Sequence, residues 1–356
     1  FHGDSDVHPD QNILMRAARK MFNVAKDDHG ESFFAREAGK FCITPLFLVL
    51  LVIESTDVVF AIDSVPAIFG ITSDRFIVFT SNVSAAINLV ASGLRDLPPG
   101  EILLTDHEYG AMVWVWERVA ARRGMTLRTF PLPTMADDPA EIVAAAERAF
   151  TPQTRLFFFS HVLSPTGLVL PARELCAAAR QRGVLSVVDG AHAPGMLDLD
   201  VSAVGADYYA GNLHKWVNAP TGAGFLVLGP GRHDTLDPLH VSWGYKADAY
   251  PLGDPAGAAN ADAPDAFGST PRVRYLEFEG TRDPCPWLAV PAAIDFQDEL
   301  GWENVRGRAA YLGGCARALI GGDIGLSPAT PAAPGMSGAM TAFALPPGVE
   351  AAALRR

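Results

Sequence analysis

The sequence lacks paired cysteines, an excess of basic residues and a secretory pattern. Its four cysteines are scattered with no CxxC pair, which argues against a zinc finger or a disulfide framework and favours a reducing compartment. The net charge of −12 argues against a nucleic-acid surface, since no basic stripe offsets it. The first 40 residues are polar and charged, unlike a signal peptide. We therefore expect a cytoplasmic globular protein that binds no nucleic acid.

One long apolar run, residues 41–71, contrasts with the rest of the chain. It exceeds the roughly 20 residues that cross a bilayer, yet it contains Glu54, Asp57 and Asp63. Each acid at the middle of a membrane helix costs about 2.5–3.5 kcal/mol. On a helix Glu54 and Asp57 share a face, whereas Asp63 lies off it unless Pro66 bends that end. Two interpretations are equally supported: an ion-handling pair of carboxylates in a helix bundle, or a soluble core helix with acids at a wet edge.

From residue 101 onward, short apolar runs alternate with helical stretches. EILLT (101–105), RLFFFSHV (155–162) and VLSVVD (184–189) are typical of strands. One intervening helix is opened by Asp138 and Pro139 in capping positions. This alternation predicts an α/β fold, with a mostly parallel sheet and helices on both faces. The stretch KADAYPLGDPAGAANADAPDAFG predicts a flexible loop.

Two charged residues fall at predicted strand ends, where open α/β sheets bind ligands. Asp189 closes VLSVVD, and Lys215 follows the run ADYYAGNLH. An ion pair would explain the two in isolation. Alternatively, a desolvated lysine amine forms a Schiff base with a carbonyl cofactor, while an aspartate keeps a pyridine nitrogen protonated. The second interpretation is the division of labour in pyridoxal phosphate enzymes.

Such a site also needs a phosphate cradle. TSNVSAAINLVASGL (80–94) leads small polar residues into a helix, whose free N–H groups attract an anion. Ordinary N-capping by Ser81, Asn82 or Ser84 would give the same pattern. Three histidines, His107, His192 and His214, follow three predicted strand ends and favour a site over isolated structural residues.

Four motifs in this order resemble the class V aminotransferase family: SHVLSPTG (160–167), VVDGAHAPG (187–195), GNLHKW (211–216) and GTRDP (280–284). The resemblance covers about residues 80–356 and is strongest to the isopenicillin N epimerase-like branch. It implies a fold-type I enzyme that uses pyridoxal 5′-phosphate on an amino-acid substrate, by epimerisation, elimination or desulfuration.

The same resemblance implies a role for each matching residue. Lys215 would form the Schiff base and move the α-proton, Asp189 would face the pyridine nitrogen, and His107 would stack on the ring. His192 would contact the ring oxygen, and Ser164 would line the substrate side. Ser84, Asn212 and His214 would hold the phosphate. Thr281 would reach the phosphate of a neighbouring subunit, which implies a homodimer.

The chain departs from this family at both ends of the resemblance. The segment that shapes the substrate pocket in the family is replaced by the apolar run. The C-terminal subdomain, with its arginine for the substrate carboxylate, is expected to be incomplete. Cys285 and Cys315 come too early to match the nucleophilic cysteine of the desulfurases.

Residues 3–82 resemble part of the TerC family of integral membrane proteins, through ESTDVVFAIDSVPA in particular. This implies an α-helical membrane-type fragment in which Glu54, Asp57 and Asp63 handle metal ions, with membrane association through 41–71. We expect two parts, a TerC-like fragment over 1–80 and a class V aminotransferase-like domain over 81–356. The alternatives to an active enzyme are a TerC-like ion-handling fragment and a non-functional chimera formed by joining two truncated reading frames.

Overall fold

The computed structural model describes residues 23–25, 30, 32–37, 39–47, 76–245 and 270–349. The chain divides into two compact units, Phe1–Ala67 and Ile68–Arg356. The acids predicted to handle ions lie outside the described residues, as does the predicted flexible loop. The acids concerned are Glu54, Asp57 and Asp63.

The described part of the first unit is a small sheet. Its strands are β1 (Asn23–Val24), β2 (Phe34–Glu37) and β3 (Lys40–Ile43), in the order β1-β3-β2. Strands β2 and β3 are antiparallel, and Gly39 between them has a φ of 79°, a backbone conformation that favours glycine.

The start of the apolar run therefore differs from the predicted helix. Residues 41–43 belong to β3, where pairing with β2 satisfies the backbone. Cys42 and Ile43 are buried, whereas Phe41 is exposed and stacks on Phe34 across the hairpin. Among the residues described, no helix combines the length and the apolar character needed to cross a membrane.

The second unit alternates strands and helices as the sequence predicts. Its strands are β4 (Phe76–Thr80), β5 (Glu101–Thr105), β6 (Thr126–Phe130), β7 (Thr154–Ser160), β8 (Leu185–Gly190), β9 (Tyr208–Asn212) and β10 (Gly224–Leu228). Its helices are α1 (Val83–Gly93), α2 (Gly110–Arg123), α3 (Pro139–Ala149), α4 (Ala172–Gln181), α5 (Val201–Val204), α6 (Pro271–Glu277), α7 (Cys285–Leu288), α8 (Val290–Leu300) and α9 (Trp302–Ala316), followed by a π-helix (Arg317–Asp323).

These strands form one seven-stranded sheet in the order β4-β10-β9-β8-β7-β5-β6. The five strands from β9 to β6 are parallel, while β10 is antiparallel to both of its neighbours. The α/β architecture predicted from the sequence is confirmed. Strand β4 belongs to this sheet, so the sheet begins within residues 3–82, the stretch that resembles the TerC family.

Helices cover both faces of the sheet because the buried strands are apolar on both sides. In β7, Phe157 and Phe159 pack into the cluster that contains α3 and α4, whereas Leu156 and Phe158 pack into the cluster with α1 and α2. Successive strand side chains point to opposite faces, so this alternation locks the strand between two helical layers.

The helix termini follow the predicted chemistry. Asp138 and Glu141 form a reciprocal capping box at the start of α3, where Pro139 occupies the first turn.

The strand-like MTAFAL (340–345) is not a strand in the structure. It makes only an isolated bridge between Phe343 and Pro328, because no neighbouring strand extends alongside it.

Candidate active site

A cavity of about 450 Å³ lies at the carboxyl ends of the central strands. Ser160 closes β7, Asp189 lies opposite it near the end of β8, and Asn212 closes β9. Parallel strands bring these ends to one edge of the sheet. The residues that line the cavity are Asn82, Val83, Ser84, Tyr109, Ser160, Val162, Ser164, Asp189, Ala191, His192, Asn212, His214 and Lys215.

The carboxylate of Asp189 is buried at the base of this edge. The residue is 5% exposed, and Asp189 Oδ1 accepts a hydrogen bond from the backbone N–H of Ala191 at 2.9 Å. Burial raises the pKa of Asp189, while the Ala191 N–H and the charge of Lys215 oppose that shift. A positive charge placed in the cavity would therefore lower the pKa of Asp189 and favour its charged form.

Lys215 does not form a direct ion pair with Asp189. Its Nζ lies 2.9 Å from His192 Nε2, and burial lowers the pKa of the lysine despite the charge of Asp189. Burial, followed by the charge of Lys215, lowers the pKa of His192 to about 4. The amine is thus biased toward its neutral, nucleophilic form beside a neutral imidazole.

The N-terminus of α1 forms another part of the lining. Asn82 caps this helix by accepting from Ala85 N, and Asn212 Oδ1 accepts from Val83 N at 2.9 Å. Asn212 is buried, so its carboxamide ties the end of β9 to the helix. Ser84 follows Val83 in the first turn and lines the cavity. Hydroxyl, amide and helix N–H groups together suit an anion.

His214 is oriented by the strand that follows it. Its Nδ1 lies 3.1 Å from the carbonyl oxygen of Ala223, which can only accept, so Nδ1 carries the proton and Nε2 is left for a ligand. The next residue, Gly224, allows β10 to approach the helix terminus closely. A Cβ atom at Gly224 would lie 2.8 Å from Asn82 Cα.

The structure brings seven of the nine predicted site residues in the second unit into this cavity. They are Ser84, Ser164, Asp189, His192, Asn212, His214 and Lys215. His107 does not line it, and its Nδ1 lies 2.6 Å from Asp106 Oδ1. Thr281 is exposed, and its contact with a neighbouring subunit stays a prediction.

Sequence reasoning missed four residues near this site. Tyr109 and Ser160 line the cavity, and Trp216 donates to His192 Nδ1 at 3.3 Å. Glu108 is buried behind Ser160 and accepts from its backbone N–H at 2.9 Å and its hydroxyl at 2.6 Å. Tyr109 and Glu108 lie in the same TDHEYGA segment as His107, so sequence reasoning found the segment but not these two side chains. The ring-stacking role of His107 stays a prediction.

Burial and the nearby charge of Asp189 raise the pKa of Glu108 to about 7, although its hydrogen bonds with Ser160 and Thr105 oppose the shift.

No group of three or more metal-binding side chains occurs in the part of the chain that the structure describes.

Two family profiles match the chain. The profile described as "Aminotransferase class-V" matches residues 61–320, which is most of the sequence. The chain belongs to the class V aminotransferase family. The profile described as "Integral membrane protein TerC family" matches residues 12–93, so both resemblances predicted from the sequence are confirmed and they overlap over 61–93. A join of two reading frames in that overlap stays a prediction.

Two curated relatives that are more than half identical to this chain are isopenicillin N epimerases, and others are probable cysteine desulfurases. The isopenicillin N epimerase of Streptomyces clavuligerus is 58% identical over 276 residues, covering 78% of this chain and 68% of that protein. The isopenicillin N epimerase of Amycolatopsis lactamdurans is 55% identical over 280 residues, with the same two shares, 78% and 68%.

A solved relative contains pyridoxal phosphate. It is a mutant of the enzyme C-DES with glycine covalently linked to its pyridoxal phosphate, and it has a TM-score of 0.58 and 26% identity. The match covers 73% of this chain and 65% of that one, so this chain spans just under two thirds of its length. The expected cofactor is confirmed at the level of the family and its solved neighbours.

The residues present fit that cofactor. The cavity has a half-buried amine for an aldehyde, a buried carboxylate for a ring nitrogen and a polar helix terminus for a phosphate. Its volume of about 450 Å³ is within the usual range for small-molecule sites.

Proposed function

We propose that this chain is a pyridoxal phosphate-dependent enzyme that acts at the α-carbon of an amino acid, with epimerisation as its reaction. The observation that carries the proposal is the placement of Lys215 and Asp189 in one cavity, where burial biases the amine toward its neutral form. The similarity to isopenicillin N epimerases supports epimerisation and isopenicillin N as the substrate.

When bound, pyridoxal phosphate supplies a carbonyl that condenses with amines and a ring that accepts electrons from the α-carbon. Lys215 Nζ would hold the cofactor and would move the α-proton once the substrate amine has displaced it. Asp189 would keep the ring nitrogen protonated, and His192 would donate to the ring oxygen. Ser84, Asn212 and His214, which line the cavity, would bind the phosphate.

A carbon–sulfur lyase is the second candidate, because the solved relative C-DES is named as a cystine C–S lyase. Both reactions begin by removing the α-proton, so the same residues serve either one. They differ in the next step: an epimerase returns a proton to the opposite face, whereas a lyase expels a group from the β-carbon.

The homodimer and the cytoplasmic location remain parts of the proposal. The dimer would place Thr281 near a neighbouring cofactor phosphate, and its exposure on the GTRDP segment is compatible with that role.

The test is exchange at the α-carbon in heavy water. The chain, loaded with cofactor, is incubated with isopenicillin N and separately with cystine. Deuterium incorporation with loss of stereochemical purity of isopenicillin N supports the epimerase. Release of persulfide and pyruvate from cystine instead favours the lyase, and no exchange with either substrate contradicts the proposal.

A further inference from the structure

Trp216 lies beside the proposed Schiff-base lysine and contacts its histidine neighbour. Its indole Nε1 is 3.3 Å from His192 Nδ1, and the two rings have centroids 6.5 Å apart. On the other side of the imidazole, His192 Nε2 is 2.9 Å from Lys215 Nζ. The three side chains therefore form a chain of hydrogen bonds that ends at the amine.

The indole N–H of Trp216 fixes the donor and acceptor roles in this series of hydrogen bonds. An indole N–H can only donate, so His192 Nδ1 must be unprotonated and accept. A neutral imidazole then carries its proton on Nε2. The Nε2–H points at Lys215 Nζ, and a hydrogen bond is formed there only when the amine has a free lone pair.

We propose that Trp216 is a positioning residue that fixes the Nε2–H tautomer of His192 and thereby keeps Lys215 as a neutral amine. An ammonium at Lys215 would face the Nε2–H with no acceptor, whereas the neutral amine accepts from it. The same tautomer would present a donor to the phenolic oxygen of the cofactor ring, so this inference deepens the proposed function and rests on it.

Other titratable groups line the same cavity as the amine. Among the described residues that line the cavity, these are Asp189 from β8, His214 beside the lysine and Tyr109 from the segment after β5. Asp189 favours the ammonium, in opposition to burial. The contribution of Trp216 is separate because it acts through a hydrogen bond to His192 and carries no charge.

The first test reads the tautomer directly. Nitrogen-15 NMR of the full chain without added cofactor reports which ring nitrogen of each histidine carries the proton, and a His192→Gln sample assigns the His192 signals. We expect the Nε2–H tautomer near neutral pH in the wild type. An Nδ1–H tautomer would overturn the proposal, whether or not the protein turns over any substrate.

The second test removes the donor. Trp216→Phe keeps an aromatic ring but has no N–H, so His192 can adopt the other tautomer and accept from an ammonium. The rate at which added pyridoxal phosphate attaches to Lys215 is measured against pH by visible absorbance. We expect the midpoint of this profile to move up by about one pH unit, the size of one lost hydrogen bond.

Trp114→Phe is the matched control because Trp114 is a tryptophan of α2 that is 69% exposed. Its pH profile should superimpose on that of the wild type. An unchanged midpoint in Trp216→Phe would overturn the proposal. If the wild type attaches no cofactor, the proposed function fails, and the NMR result alone decides the role of Trp216.

Discussion

Two groups of residues line the cavity, and they differ in how they respond to protons. The helix group, Asn82, Ser84 and Asn212, consists of amides and a hydroxyl that do not titrate in the physiological range. The titratable group, Asp189, His192 and Lys215, consists of side chains whose pKa values are shifted by burial. One cavity thus combines a lining that is insensitive to pH with one that is poised for proton transfer.

The difference shows how the fold separates binding from chemistry. The helix group uses the N-terminus of α1, whose dipole and N–H groups attract an anion at any pH. The titratable group uses strand ends, where a carboxylate and an amine are partly removed from water. Changes in the first group should alter cofactor affinity, and changes in the second should alter proton transfer.

Lys215→Ala gives the largest expected effect. Loss of the amine removes the covalent link, so the absorbance band of attached pyridoxal phosphate should disappear completely while weak non-covalent binding persists. Visible spectra recorded with added cofactor provide the measurement. Lys40→Ala, which changes an exposed lysine of β3, is the control and should keep the band. A band that survives in Lys215→Ala would show that Lys215 does not hold the cofactor.

Asp189→Asn should slow α-proton exchange about 100-fold or more while cofactor attachment remains detectable. In this variant the carboxylate that would keep the ring nitrogen protonated is lost. Removing one such electrostatic partner lowers the rate by a factor of about 10²–10³. Deuterium incorporation into substrate measures the effect. Asp137→Asn, an exposed site before α3, is the control. Exchange at the wild-type rate would show that Asp189 does not act on the ring.

Glu108→Gln tests how far the titratable group extends behind Ser160. Burial raises the pKa of Glu108 to about 7 in the folded protein from its usual 4.5, so its stabilising contribution is fully present below about pH 4.5 and is lost as the pH rises through about 7. The glutamine side chain of the variant does not titrate, so the variant does not lose stability in this way as the pH rises. Its free energy of unfolding relative to wild type should therefore increase between pH 4.5 and 8, by on the order of 3 kcal/mol.

Denaturant unfolding at several pH values measures this difference. Glu303→Gln, at an exposed position in α9, should show an offset from wild type that does not change with pH. A flat difference for Glu108→Gln would mean that Glu108 titrates outside this range and does not belong to the titratable group.

Gly224→Ala is expected to disturb only the helix group. The new Cβ would lie 2.8 Å from Asn82 Cα, so the start of α1 must shift, at a cost of about 1–3 kcal/mol. Cofactor affinity should fall while the pH profile of attachment keeps its midpoint. Titration with pyridoxal phosphate and thermal unfolding measure the two effects. Gly314→Ala in α9, where a Cβ meets nothing within 4 Å, is the control.

Much of the second unit could be predicted from sequence because its signals are local. Apolar runs separated by capped helices give strands and layers, and strand ends locate Asp189 and Lys215 at one edge. Asn82 could be predicted as a polar residue at a helix terminus, whereas Asn212 at the end of β9 was implied only by the family resemblance. The hydrogen bond from Val83 N to Asn212 Oδ1 joins α1 to β9 and depends on tertiary packing.

Sequence reasoning left side-chain orientation open where consecutive residues follow a strand end. His107, Glu108 and Tyr109 are consecutive, and the backbone after β5 decides which side chain enters the cavity. Sequence chemistry selected His107, whose ring-stacking role stays a prediction. It did not select Tyr109, which lines the cavity, or Glu108, which turns inward to Ser160. In the first unit, composition predicted a helix from residue 41. The structure has a strand at 40–43 because pairing with β2 outweighs a run of apolar residues.

The measurement that tests the central claim most directly is peptide mapping of the chain after borohydride reduction in the presence of pyridoxal phosphate. We predict that the reduced cofactor is found on the peptide containing Lys215 and on no other lysine, in proportion to the fraction of folded protein. Modification of a different lysine, or no stable modification in folded protein, would contradict the assignment of this cavity as the cofactor site.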